Sequence, residues 1–155
     1  MKQLASLVKR FPTEFIKQVN KGSRTEDYIP FPTIAQRLLE VCGAYDWDFE
    51  IIYSENVAVA VKGNLRVKID NKVVCVSGAG TPQNTKESVG EQIKKMESDA
   101  FKRAARNLGL GLHLWTGENP YWLESVLTAL VNEDKKGKEK KEISTQPNGV
   151  ATKTQ

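Results

Sequence analysis

Residues 57–77, VAVAVKGNLRVKIDNKVVCVS, decide the fold. The stretch is crowded with β-branched residues, and Leu65, Val67 and Ile69 alternate with Arg66 and Lys68 in the two-residue period of a half-buried strand. Asp70-Asn71 interrupts that alternation with residue types suited to a tight hairpin turn, and Val73 to Ser77 resumes it as an antiparallel partner. Gly63 is expected to mark a bulge in the long strand. Upstream, Trp47, Phe49 and Ile51 alternate with Asp48, Glu50 and Ile52, which adds a strand and makes a three-stranded antiparallel meander. Downstream, Gly78, Gly80 and Pro82 are expected to end the sheet in a flexible connection.

A long helix follows, from about 86 to 108. Val89, Ile93, Met96, Ala100, Ala104 and Leu108 fall three or four apart on one stripe, and Gly109 supplies a stop. On a helical wheel Lys95, Asp99, Lys102, Arg103 and Arg106 gather on the opposite side, so the helix packs its apolar stripe on the sheet and presents cations outward. Before the sheet, Leu4, Leu7, Val8, Phe11, Phe15, Ile16 and Val19 have helical spacing interrupted by Pro12. That predicts one or two short helices, with Pro12 starting the second, and then a loop over Lys21 to Asp27. Thr33 is placed to cap a helix through Cys42, with Ile34, Leu38 and Val41 on one face and Gly43 at its end. Glu118 to Val131 reads as a last amphipathic helix, with Asn119-Pro120 at its start and Trp122, Val126 and Leu130 in register. The fold class is α+β, a three-stranded antiparallel meander packed by a long helix, with N-terminal and C-terminal helices.

From Asn132 to Gln155 there is no aromatic residue, few aliphatics and many charges, so the stretch reads as a disordered tail behind a single domain over 1–131. The chain has 155 residues and a formal net charge of +4, but the charge alternates along it. Residues 1–37 hold seven basic and three acidic side chains; residues 38–61 hold Glu40, Asp46, Asp48, Glu50 and Glu55 with no Lys or Arg; residues 62–85 return Lys62, Arg66, Lys68 and Lys72 against Asp70. Such segregation fits steering toward a polyanion, and equally a set of solvated faces.

Two cysteines are too few for a disulfide-stapled secreted module, and no apolar run reaches membrane-spanning length, so no membrane partner is expected. The N-terminus meets Lys9 and Arg10 before a secretory apolar core can form, which leaves a reduced, cytoplasmic protein as the expectation, with Cys42 and Cys75 as small buried hydrophobes. One His and two separated Cys argue against a zinc site or a Cys/His nucleophile pair. No phosphate-cradling glycine loop ends in Gly-Lys-Ser/Thr, so ATP-driven strand exchange is not expected. Asp48 and Glu50 alternate with Trp47 and Phe49 as a strand's solvent face would, and His113 beside Trp115 reads as packing or hydrogen bonding rather than catalysis. No catalytic residue, metal site or cofactor is expected, and hence no enzyme.

Binding features are stronger. Lys102-Arg103-Ala104-Ala105-Arg106 sets three cations on nearly one helix face, with small alanines between them for the close approach of a phosphodiester backbone. The same run also fits a solvated helix face with an Asp99–Arg103 pair at i, i+4. The basic strands (Lys62, Arg66, Lys68, Lys72) are candidates for the other wall of a groove. Tyr28, Phe31, Tyr45, Trp47 and Tyr53 are candidates for base stacking or for the core.

Taken in order, Tyr28-Ile29-Pro30, then residues 36–43 (QRLLEVCG), then Trp47-Asp48-Phe49-Glu50, then a sheet, then residues 97–109 (ESDAFKRAARNLG) resemble the Rad52-type single-strand annealing proteins, over about Phe11 to Trp115. The resemblance implies a β-β-β-α core assembled into a ring or helical homo-oligomer, acting in a bacterial or phage-infected cell. Single-stranded DNA would lie in a basic outer groove, backbone inward and bases exposed, and pair with a complement without ATP. Carried across, the groove cations fall on Lys102, Arg103 and Arg106, and a second, outer DNA contact falls near Lys86; Lys95, on the outward side of the long helix, is a further candidate DNA contact from the helical wheel. Thr33 stands where the resemblance expects a groove arginine, and Arg37, one turn later, is the candidate substitute. A single-strand-binding protein or an exonuclease is the candidate protein partner. If the acidic stretch of one subunit faced the basic stretch of the next, such a contact would close rings or grow helices. The competing readings are a double-stranded RNA-binding domain, which also sets a basic surface on a sheet and helix, and an assembly subunit that binds no nucleic acid.

Overall fold

The computed structural model describes residues 2–82, 86–116 and 123–144. In chain order the elements are α1 (Lys2–Val8), β1 (Lys17–Lys21), β2 (Arg24–Tyr28), α2 (Phe31–Cys42), β3 (Asp46–Ser54), β4 (Val57–Ile69), β5 (Lys72–Gly80), α3 (Val89–Arg106) and α4 (Leu123–Ser144). The α+β expectation holds: β3, β4 and β5 form an antiparallel sheet in that order, with α3 packed across it. Asp70-Asn71 turns the second hairpin as predicted. Both residues there and both in the Glu55-Asn56 turn have positive φ, between 47° and 66°, as type I′ turns require.

Strand alternation gives the sheet two unlike faces. β4 buries Val61, Leu65 and Val67 beneath α3 and turns Lys62, Asn64, Arg66 and Lys68 to the other side. Phe101, fully buried, anchors the core with its ring 4.6 Å from that of Phe31, 5.6 Å from Tyr45 and 5.1 Å, edge-on, from Trp47. The indole N–H of Trp47 donates to Glu97 Oε1 at 3.2 Å, tying β3 to α3.

The glycines do other work than expected. Gly78 lies inside β5 and Gly80 is that strand's last residue, so the strand ends at Gly80 as expected while both glycines serve the place where α3 crosses it. A Cβ on Gly78 would stand 2.0 Å from the Ala100 carbonyl oxygen, and one on Gly80 would stand 2.1 Å from that of Met96, so the missing side chains are what let the helix backbone touch the strand. Gly63 marks no bulge. The register shift lies between Ile52 and Tyr53, while Gly63 provides the flat surface on which the Trp47 ring lies.

The N-terminal reading needs correction. After α1, only a single 3-10 turn forms at Thr13–Phe15, and Lys17 to Tyr28 is an antiparallel hairpin rather than a helix and a loop. Its turn is Gly22-Ser23, with φ +63° at Gly22 as the first loop residue of a type II′ turn requires. Helix α2 starts at Phe31, earlier than a cap at Thr33 would allow, with prolines at its cap and in its first turn. Helix α3 starts at Val89, where Ser88 Oγ accepts the Glu91 N–H, and Val89 is exposed rather than part of the apolar stripe. Gly109, at φ +94°, stops the chain after it as expected. Cys42 is half-buried and Cys75 is exposed, both as free thiols, so neither is a buried hydrophobe. Helix α4 packs Leu127 on Val8 of α1 and runs to Ser144, into the stretch whose composition suggested disorder; its abundant Lys and Glu are good helix formers. The Asn119-Pro120 start expected for that helix, Trp122 and the end of the tail lie outside the described residues. Among the described residues no helix is long and apolar enough to cross a membrane.

The contact of α3 with glycine can be tested directly. Gly78→Val must push α3 off the sheet and is expected to cost about 3 kcal/mol or more, whereas Gly90→Ala, in open space on the same helix, should stabilise by about 0.5–1 kcal/mol. Thermal denaturation of the two variants checks the contrast.

Candidate nucleic-acid interface

Lys102, Arg103 and Arg106 stand on the side of α3 turned from the sheet, and the β1–β2 hairpin faces them. Between the two lies a cleft of about 220 Å³. One wall is Asp99, Lys102, Arg103 and Arg106; the other is the hairpin, through Val19, Lys21, Glu26 and Tyr28. Ile29, Ile34 and Leu110 make an apolar floor, and Trp115 stands on the rim. Ala104 and Ala105 take no part in it. Both are fully buried under the helix, so the alanines serve the core, not the approach of a phosphate.

The cations of the cleft are of two kinds. Arg103 Nε donates to Asp99 Oδ2 at 3.0 Å, and Lys21 Nζ meets Glu26 Oε2 at 2.9 Å, so these two already hold carboxylates. Lys102 and Arg106 have no salt-bridge partner among the described residues and face aromatic rings instead. The Lys102 ammonium lies 5.5 Å from the centre of the Tyr28 ring, and the Arg106 guanidinium 3.8 Å from that of Trp115. Burial pushes the Lys102 amine below its ordinary value, with the charges of Lys21, Arg106 and Arg103 adding to the push and Asp99 opposing it. Burial likewise lowers Arg106, with Arg103 adding and Asp99 opposing. Two half-buried cations without a salt-bridge partner among the described residues thus face one cleft, with Asp99, already held by Arg103, on the same wall.

The other predicted site residues lie elsewhere. Lys62, Arg66 and Lys68 are on the sheet face away from α3, so the basic strands form no wall of this cleft. Lys62 and Arg66 answer the acidic strand beside them. In the β3–β4 register Asp46 faces Arg66 and Glu50 faces Lys62; Arg66 Nη1 is 2.8 Å from Asp46 Oδ2 and also bonds Asp48, while Lys62 reaches Glu50 at 4.0 Å. Hydrogen bonds from Asn64 and Arg66 hold the Asp48 carboxyl below the usual carboxylate range. The acidic and basic blocks of the sequence therefore meet within one chain, across a strand pair, each pair exposed and worth little singly. Lys95 is paired with Glu87, near the start of α3, and Lys86 is exposed in the turn before that helix. Arg37 lies with its guanidinium 3.4 Å from the centre of the Phe11 ring and donates to the Lys9 and Arg10 carbonyls, so it fastens the N-terminal segment and does not line the cleft.

Sequence reasoning missed the hairpin wall and Trp115. Gly22-Ser23 was the available signal, a two-residue turn joining polar strands. Among the described residues no group of three or more His, Cys, Asp or Glu side chains is placed to hold a metal ion.

The fold is a β-β-β-α core that sets a cationic helix end against a hairpin. A family model described as Rad52/22 family double-strand break repair protein matches residues 1–121, and the chain belongs to that family. Membership places it in double-strand break repair and recombination. No curated protein matches the chain significantly.

The state of Lys102 has a measurable cost. Its amine binds a proton less tightly folded than unfolded, so the penalty accrues as pH falls below the ordinary lysine value of 10.5 and is complete below the lowered folded value. Lys102→Met keeps the side-chain length and removes the charge; it is expected to raise the melting temperature at neutral pH, and the gain should shrink as the pH of the melt is raised toward that of lysine.

Proposed function

We propose that this protein binds single-stranded DNA by its phosphate backbone in the cleft between α3 and the β1–β2 hairpin, and anneals complementary strands without ATP. The observation that carries the reading is the pair of half-buried cations, Lys102 and Arg106, facing one cleft without a salt-bridge partner among the described residues. A phosphate replaces the water they lack, and Arg103 and Lys21 can exchange their carboxylates for further phosphates along the strand. Backbone contacts of this kind carry no sequence information, which suits a protein that must accept any strand. With the phosphates held against the protein, the Watson–Crick edges stay outward, and base pairing with a second strand supplies the free energy of annealing. No nucleotide hydrolysis enters.

Annealing over a useful length requires many such clefts in series, so a ring or helical homo-oligomer is part of the proposal. Since Asp46, Asp48 and Glu50 are engaged by Arg66 and Lys62 of their own sheet, the subunit contact does not depend on matching those charge blocks between neighbours. Proteins that coat single strands or resect duplex ends are the candidate partners.

The test is a salt titration. Affinity for an unstructured oligonucleotide should fall with salt at about −0.7 per phosphate neutralised, and the combined Lys102→Ala, Arg103→Ala, Arg106→Ala variant should flatten the slope by about 2 while keeping its circular dichroism spectrum. The same variant should lose ATP-free annealing of complementary strands. An unchanged slope removes α3 from the site, and a preference for duplex RNA over single-stranded DNA in competition selects the RNA-binding reading instead.

A further inference from the structure

Burial does not account for the place of Trp115. It closes the 3-10 turn Leu112–Trp115, is 59% exposed, and stands on the rim of the cleft where the cleft continues along the hairpin toward Gln18 and Thr25. A large indole left in water forgoes the burial that normally fixes a tryptophan. What fixes this one is Arg106, whose guanidinium lies on the ring at 3.8 Å. The residue stays largely exposed even with that cation stacked on its ring.

We propose that Trp115 is a nucleobase-stacking platform, on which a base of the strand seated in the cleft lies while Arg106 holds a phosphate. The proposal rests on the cleft reading above and adds to it a contact that is not ionic. In a nucleotide the phosphate and the base are covalently joined at short range, as Arg106 and Trp115 are joined by their stacking, so one nucleotide satisfies both. Every base offers a π-face, so stacking keeps the site indifferent to sequence. It also uses only that face and leaves the Watson–Crick edge free, which annealing requires. Tyr28, on the opposite wall, is a poorer platform because it is half-buried against Lys102. Sequence reading passed over Trp115, since nothing in its spacing shows that it stands on the rim of a cleft.

The experiment compares an oligothymidylate with an abasic strand of equal length and charge, using wild type, Trp115→Ala and Trp115→Phe. Trp115→Ala is expected to weaken oligothymidylate binding about 5-fold or more, to leave abasic binding and the salt slope unchanged, and to be largely rescued by Trp115→Phe. Binding of the normal strand should also quench tryptophan emission in wild type more than in Trp115→Phe, against the common background of Trp47 and Trp122. Equal losses on the two strands, or a flattened slope, would mean that Trp115 acts only by holding Arg106, and would overturn the proposal. So would Trp115→Ala affinity within 2-fold of wild type on both strands. The cleft reading fails separately, through a salt slope that the triple alanine variant does not change.

Discussion

Helix α3 lies directly on strand β5 because Gly78 and Gly80 have no side chains to hold it away. The helix carbonyls of Ala100 and Met96 occupy the space that two Cβ atoms would need. This contact sets the height and rotation of the helix, and most of the molecule follows from it. With Ala100 and Ala104 against the sheet, Phe101 and Ala105 must turn into the core under α2, and Lys102, Arg103 and Arg106 are left on the one side that neither layer covers. The cationic face is thus a consequence of packing. Its position cannot drift without opening the core.

The β1–β2 hairpin then turns a helix face into a cleft. Without it the three cations would sit in bulk water, strongly hydrated and weakly selective. With it Lys102 and Arg106 are partly desolvated, held over aromatic rings, and unfavourable as free charges. Folding free energy is spent there that an anion can return on binding. The outer face of the sheet shows the opposite arrangement. Arg66, Asp46, Asp48 and Asn64 form a closed polar network, with Ser77 donating to Asn64 at 2.8 Å. Charges satisfied among themselves give solubility to a sheet face; cations left without an ion-pair partner at a cleft are what the proposed binding would use.

The meander and the long helix were legible in the sequence because each buries one face, which writes a period of two or of three to four residues into the chain, and because Asp70-Asn71 has the chemistry of its turn. The three helix cations were legible for the same reason, as the complement of the apolar stripe. The first hairpin was not. β1 is exposed along its whole length and β2 nearly so, so no alternation records it, and Phe15, Ile16 and Val19 happen to fit a helical spacing. Gly78 and Gly80 read as loop residues because glycine ordinarily weakens strands, and only the close approach of α3 reverses that reading. The charge blocks were legible as blocks, but the pairing that cancels them depends on strand register, which places Asp46 opposite Arg66 and Glu50 opposite Lys62. Trp115 was hidden for a related reason: its role depends on a hairpin some ninety residues upstream.

The central claim is that single-stranded DNA lies between α3 and the β1–β2 hairpin. Ultraviolet cross-linking of oligothymidylate to the protein, with the attachment sites mapped by peptide mass spectrometry, tests it most directly. The account predicts cross-links confined to the hairpin, residues 17–28, and to residues 102–115. Cross-links on the outer sheet face, at Lys62, Lys68 or Cys75, with none in those two segments, would contradict it.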